Sequence, residues 1–220
     1  MGGRISELQS KIESKVELNP FEAKHYDLMM NIFSLGIYPS FTSRVIDRIE
    51  FFDKESIIDF GSGTGHFSCL FHKKARIEKY VGIDLSEIMV KQAEKKCKKY
   101  GDAKFIRGDI RKPVPFKEEF TKAFTSFVLH GFVQEERIKI TQNAYNALKK
   151  GGKFIILDYG EKDVDSAPFY IKFLIRKLEC PLAEEFMKTD LKKMLKSVGF
   201  TDFTEYSFVN GYIRLEIATK

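Results

Sequence analysis

The chain has 220 residues, 43% hydrophobic and 31% charged, with a formal net charge of +6, which suits one α/β domain that buries roughly 70% of its unfolded surface. No run approaches the ~20 apolar residues of a transmembrane helix, and Met1-Gly2-Gly3-Arg4 leads into polar sequence, not a signal-peptide core. A soluble, intracellular, cytoplasmic protein is therefore expected. Cys69, Cys97 and Cys180 are too widely spaced for a metal pattern or a disulfide framework, so no metal is expected and the thiols receive no role. The basic excess gathers in Lys73-Lys74 and from Lys91 to Lys99. It reads as a solvated helix face in preference to an RNA-binding patch, because no aromatic residue interleaves before Tyr100.

Ile5, Leu8, Ile12 and Val16 recur at helical spacing, so Arg4 to Leu18 is expected as an amphipathic helix. Asn19-Pro20 ends it and opens a second helix carrying Phe21, Leu28, Ile32 and Phe33, which Gly36 suits as an end. A third is expected from Pro39 to Phe51. Residues 1–52 read as a helical cover in front of a sheet.

Ile57-Ile58-Asp59-Phe60-Gly61-Ser62-Gly63-Thr64-Gly65-His66 then runs from a short apolar strand through alternate glycines into a helix, His66 to Lys74. Glycines here let the backbone approach a ligand, and the N–H groups of the following helix favour a negative group. The nicotinamide and flavin fingerprint G-x-G-x-x-G needs glycine or alanine three residues after Gly63, where His66 stands. The spacing is instead D-x-G-x-G-x-G.

This pattern resembles the first motif of the class I S-adenosylmethionine-dependent methyltransferases, and the resemblance runs from about Phe21 to the C-terminus. It implies a Rossmann-like, doubly wound α/β sheet of seven strands, mostly parallel with an antiparallel last strand and helices on both faces, in one domain over residues 1–220. It implies S-adenosyl-L-methionine as cofactor, with S-adenosyl-L-homocysteine as product, and places Asp59, Gly61, Ser62, Gly63 and Gly65 against it. Phe21-Glu22-Ala23-Lys24-His25-Tyr26-Asp27 is similar to the family's F-x-x-A-x-x-Y-D segment, with the alanine displaced. The resemblance puts Tyr26 over the methionine end of the cofactor; a half-buried helix aromatic is the alternative.

Tyr80-Val81-Gly82-Ile83-Asp84 reads as the second strand, and a carboxylate at its tip suits hydrogen bonds from both ribose hydroxyls, with Leu85 beside it. Ser86 caps a helix from Glu87 to Lys99. Phe105-Ile106-Arg107-Gly108-Asp109-Ile110 is a third strand with a second glycine-acid pair. By resemblance, Asp109 accepts from the adenine amine and the Ile110 N–H meets a ring nitrogen; an Asp capping a turn is the alternative.

The fourth strand is expected from Phe120 to Leu129, followed by His130-Gly131-Phe132. Nucleobase-amine methyltransferases typically carry a D/N-P-P-Y/F tetrapeptide here, and it is absent. The segment resembles instead the L-H pattern of small-molecule methyltransferases, with Phe127 near the cofactor. His130, whose reference pKa is near operating pH, suits a general base or a pocket-shaping histidine. Leu148-Lys149-Lys150-Gly151-Gly152 is similar to the family's L-K-P-G-G turn and precedes a buried strand, Lys153 to Asp158.

Residues 160–188 fall where this family inserts a substrate lid, and Pro168 to Leu178 is aromatic-rich and amphipathic, suited to an apolar acceptor, a peripheral membrane contact, the core or a dimer contact. A helix from Thr189-Asp190 to Gly199 follows, then two strands around Asn210-Gly211, a hairpin signal. The C-terminal half resembles quinone C-methyltransferases and phospholipid N-methyltransferases, which implies a small-molecule or lipid-like methyl acceptor. Methylation of rRNA or tRNA on the basic surface is the runner-up, and a nicotinamide-binding dehydrogenase is opposed by His66 and the terminal hairpin. Monomer and homodimer both remain open.

Overall fold

The strand β1 (Glu55–Phe60) sets the architecture, because all six of its residues are buried, with Ile57 packing toward one face and Ile58 and Phe60 toward the other. A strand apolar on both sides belongs inside a parallel sheet covered by two helical layers. In the computed structural model, which describes residues 37–166 and 182–220, it is joined by β2 (Ile77–Asp84), β3 (Ala103–Arg107), β4 (Phe120–Ser126), β5 (Leu148–Tyr159), β6 (Thr201–Phe208) and β7 (Ile213–Thr219). The order across the sheet is β3-β2-β1-β4-β5-β7-β6. The first five pair in parallel, and β7 inserts antiparallel between β5 and β6. This is the doubly wound sheet with an antiparallel last strand that the sequence led us to expect.

One layer consists of α1 (Tyr38–Ile46), α2 (His66–Lys74) and α3 (Glu87–Cys97), which bury Val45, Phe67, Phe71, Val90 and Ala93 against Ile57, Tyr80 and Phe124. The other holds α4 (Gln134–Ala147), α5 (Leu182–Phe186) and α6 (Leu191–Val198), with Ile140, Ala144, Leu191 and Leu195 against Ile58, Phe60 and Phe154. Local signals mark several ends as expected. Ser86 Oγ accepts from the Met89 N–H, the Asp190 carboxylate accepts from the Lys193 N–H at 2.8 Å, and Gly199 closes α6 at φ +117°.

Several boundaries differ from expectation. β4 stops at Ser126, because Phe127 takes φ +54° and turns the chain into a 3₁₀ turn, Leu129–Gly131. β3 spans only Ala103–Arg107. β5 starts at Leu148, five residues before the apolar run, since that turn also pairs with Phe120. Helix α1 ends at Ile46, not Phe51. The two helices expected before Gly36, and Pro168 to Leu178 of the expected lid, lie outside the described residues.

Among the described residues, no helix is long and apolar enough to cross a membrane. The lysines of α3 mostly face solvent.

Candidate active site

At the carboxyl ends of β1, β2 and β4, where ligands of doubly wound sheets bind, lies a cavity of about 570 Å³. Its floor is the loop after β1. Gly61 sits at φ +80°, and a Cβ there would lie 2.5 Å from Val128 Cγ2, so the loop closes against the turn after β4 only with glycine at this position. The N–H groups of Gly61 and Ser62 both donate to the Ile83 carbonyl, at 2.8 and 3.0 Å, anchoring the loop to β2.

Asp84, at the tip of β2, organises the rest. Its carboxylate accepts from the Gly63 N–H at 2.8 Å and from the Ser86 N–H at 2.9 Å, joining the glycine loop to the start of α3. Burial raises its pKa, against the lowering effect of the N–H donors of Ser86, Gly63 and Leu85. Asp59 lies deeper and is fully enclosed; burial lifts its pKa to about 7, the Tyr80 hydroxyl bond pulls it down and the Asp84 charge adds to the rise. Asp59 Oδ1 and Ser62 Oγ are buried with no hydrogen-bond partner among the described residues, and both residues line the cavity.

On the opposite rim, Arg111 engages Asp109 through Nε at 2.8 Å and Nη2 at 2.9 Å, and reaches Glu136 at 3.0 Å. The Arg111 bonds hold the Asp109 carboxyl below the usual range. Asp109 thus also accepts from the Arg111 backbone N–H, the turn-capping geometry that was its alternative reading.

His130 stands on the 3₁₀ turn after β4. Its Nδ1 is 2.8 Å from Oδ1 of Asp158, a wholly buried residue near the end of β5, and its backbone N–H donates to Asp158 Oδ2 at 3.3 Å. The Tyr159 ring meets the imidazole edge-on at 5.0 Å. The turn itself is pinned by buried Arg137, whose Nε donates to the Leu129 carbonyl at 3.1 Å.

Of the residues singled out in the sequence, Asp59, Gly61, Ser62, Gly63, Asp84, Leu85, Asp109, Ile110, Phe127 and His130 all line this cavity. Gly65 does not: a Cβ there would meet Ala93 Cβ at 3.0 Å and Cys97 Sγ at 3.1 Å, so its place is the packing of α2 on α3. Tyr26 lies outside the described residues. Sequence reasoning missed Tyr38, His66, Met89, Arg111, Phe132 and Glu136. Met89 and Arg111 follow known motif positions by a few residues and were open to local reading. Tyr38, whose ring lies 5.1 Å from that of His66, arrives from α1 with no sequence signal.

A family model described as a methyltransferase domain matches residues 57–152. The demethylmenaquinone methyltransferase of Thermotoga maritima is 30% identical over 159 residues, covering 72% of this chain and 64% of that protein. The chain therefore spans just under two thirds of that relative. Over most of its length the chain resembles the class I S-adenosylmethionine-dependent methyltransferases. The ubiquinone/menaquinone biosynthesis C-methyltransferase of Blochmanniella floridana is 26% identical, with 95% of this chain and 91% of that one aligned. Among solved structures, a SAM-dependent methyltransferase from Aquifex aeolicus superposes with a TM-score of 0.64 at 18% identity, over 92% of this chain and 99% of the other.

The cavity suits S-adenosylmethionine chemically. It presents carboxylates at the tip of β2 and on the β3 side, with a buried acceptor oxygen and a hydroxyl lacking partners beneath the glycine loop. A cationic, hydroxyl-bearing ligand asks for that donor and acceptor set.

Proposed function

We propose that this methyltransferase acts on a small-molecule or lipid-like acceptor whose nucleophile carries a proton, of the hydroquinone type. S-adenosylmethionine, when bound, supplies a methyl group already activated on a sulfonium, so the protein's task is alignment and exclusion of water. Asp84 takes the ribose hydroxyls, Asp109 and the Ile110 N–H hold the adenine edge, and Leu85 flanks it. Asp59, Gly61, Ser62 and Gly63 receive the methionine end, with Phe127 beside it.

The observation that carries the acceptor reading is the His130–Asp158 pair. Oδ1 of Asp158 accepts the Tyr159 N–H at 2.8 Å and so acts as an acceptor toward the ring as well, which holds the hydrogen on Nδ1 and puts the ring's basic lone pair on Nε2. That arrangement removes a proton from a hydroxyl or an acidic ring carbon. It occupies the position at which base-amine methyltransferases carry their tetrapeptide. The likeness to the Thermotoga demethylmenaquinone methyltransferase and the Blochmanniella ubiquinone/menaquinone C-methyltransferase supports the same acceptor class.

The test is incubation with methyl-labelled S-adenosylmethionine, first with a demethylated hydroquinone and then with a source-cell extract partitioned into lipid, small-molecule, RNA and protein fractions. Label on the hydroquinone, or in the organic or small-molecule phase, supports the proposal. Label confined to RNA would overturn it.

A further inference from the structure

Cys69 on α2 and Cys97 on α3 are 28 residues apart in sequence, yet their sulfurs lie 3.1 Å apart. Both are free thiols; Cys97 is buried and Cys69 half-buried. Closing to a disulfide at about 2.05 Å requires the sulfurs to move by only about 1 Å. We infer that Cys69 and Cys97 form a peroxide-reactive pair, a modification site that converts to a disulfide and thereby alters the glycine loop.

The surroundings give the two thiols different roles. A hydrogen bond from Cys97 brings the Cys69 pKa down to about 7, burial opposes it, and Lys96, Lys99 and Lys73 assist; Cys97 is pushed up, first by that same bond and then by burial. Cys69 is thus the thiolate and Cys97 its resolving partner. The Cys69 thiolate attacks one oxygen of hydrogen peroxide, the O–O bond breaks and hydroxide leaves to take up a proton as water, giving a sulfenic acid. The Cys97 sulfur then attacks the Cys69 sulfur, the S–S bond forms, the S–O bond breaks, and water departs with the Cys97 proton. The two thiols lose two electrons and two hydrogens, and the peroxide is reduced to two waters.

The pair is mechanically connected to the loop. Cys97 Sγ lies 3.5 Å from the Gly65 carbonyl, a contact that closure onto Cys69 disturbs. It is also 3.1 Å from the site a Gly65 Cβ would occupy, while the neighbouring Lys96 donates to Thr64 Oγ1 at 2.8 Å. Moving the Cys97 sulfur therefore disturbs the packing at Gly65 and its neighbour Thr64. The effect on ligand binding rests on this loop being the cofactor loop; disulfide formation does not.

The experiment treats the Cys180→Ser protein, which retains only this pair, with a small excess of hydrogen peroxide, then alkylates with iodoacetamide and weighs the intact chain. Expected is loss of both alkylation sites, their return after dithiothreitol, and no such loss in Cys69→Ser/Cys180→Ser. Calorimetric titration with S-adenosylhomocysteine should show the oxidised form binding about tenfold more weakly. Tryptic mapping of oxidised wild type, expected to yield a Cys69–Cys97 linked peptide, provides the same test should Cys180→Ser fold poorly. Two alkylated thiols after peroxide, or a wild-type link through Cys180 instead, would overturn the pair. A disulfide with unchanged affinity would overturn its coupling to the loop.

Discussion

Replacing Asp84 by alanine removes three things at once: the proposed acceptor for the ribose hydroxyls and the two bonds that tie Gly63 and Ser86 together before any ligand arrives, at 2.8 and 2.9 Å. A hydrogen bond to a charged group contributes about 1.5–3 kcal/mol. Loss of the ribose contact alone amounts to at least a tenfold fall in affinity, about 1.4 kcal/mol. Disorder in the glycine loop adds a comparable amount, because the Gly63 and Ser86 N–H groups lose their acceptor on the rim of the cavity. We therefore expect Asp84→Ala to weaken S-adenosylhomocysteine binding by about 3 kcal/mol, on the order of 100-fold. Asp84→Asn keeps one carbonyl acceptor and should lose roughly tenfold. Isothermal titration calorimetry gives the affinities, and urea unfolding establishes that each variant is folded. A folded Asp84→Ala protein that binds within about threefold of wild type would refute the assignment.

Three further outcomes are expected. Asp59 has its pKa raised from 3.8 to about 7, so the folded state holds its proton more tightly than the unfolded chain. The resulting stabilisation is present below the unfolded value and disappears as pH rises through 7; urea unfolding should show wild type losing on the order of 2–4 kcal/mol relative to Asp59→Asn across that window. Gly61→Ala combines a left-handed backbone with a Cβ 2.5 Å from Val128 Cγ2, and should cost about 2–3 kcal/mol in chemical unfolding, with roughly half recovered by adding Val128→Ala; no recovery would locate the cost in the backbone alone. Asp158→Asn leaves a neutral carbonyl oxygen facing His130 Nδ1, because the Tyr159 N–H donates to the same Oδ1 position at 2.8 Å, and so removes the charge that stabilises the protonated ring. With a working acceptor it should lower kcat about 100-fold and shift the acid limb of the pH profile while S-adenosylhomocysteine affinity holds, and an unchanged profile would count against His130 as base.

The parts of this molecule that sequence reading reached are those whose cause is local. Three alternate glycines after an apolar run state their own backbone geometry, Ser86 and Asp190 cap the helices that follow them, and Gly199 stops α6 in the left-handed region that glycine tolerates. Boundaries failed where tertiary pairing overrode propensity. β5 begins at Leu148 because Phe120 offers it a partner, and β4 ends at Ser126 although Phe127, Val128 and Leu129 are good strand formers, because Phe127 is held at φ +54° with its N–H donating to the Leu157 carbonyl at 2.8 Å. A bulky residue held in that region is strained, and here the strain turns the chain so that His130 lines the cavity.

What lay beyond reach has a common form: two residues distant in sequence whose meeting depends on the register of the whole sheet. Asp158 was read as the end of an apolar strand, and nothing within that strand indicates that its carboxylate would receive both the ring and the backbone N–H of His130 from 28 residues away. Cys69 and Cys97, dismissed as isolated thiols, are brought together by the packing of α2 on α3 that Gly65 permits. Gly65 therefore belongs to the same glycine motif as Gly61 and Gly63 but answers to a different constraint, since its missing side chain makes room for a helix and not for a ligand. A motif read as one functional unit thus divides by position: Gly61 and Gly63 shape the cavity, while Gly65 links it to the thiol pair behind.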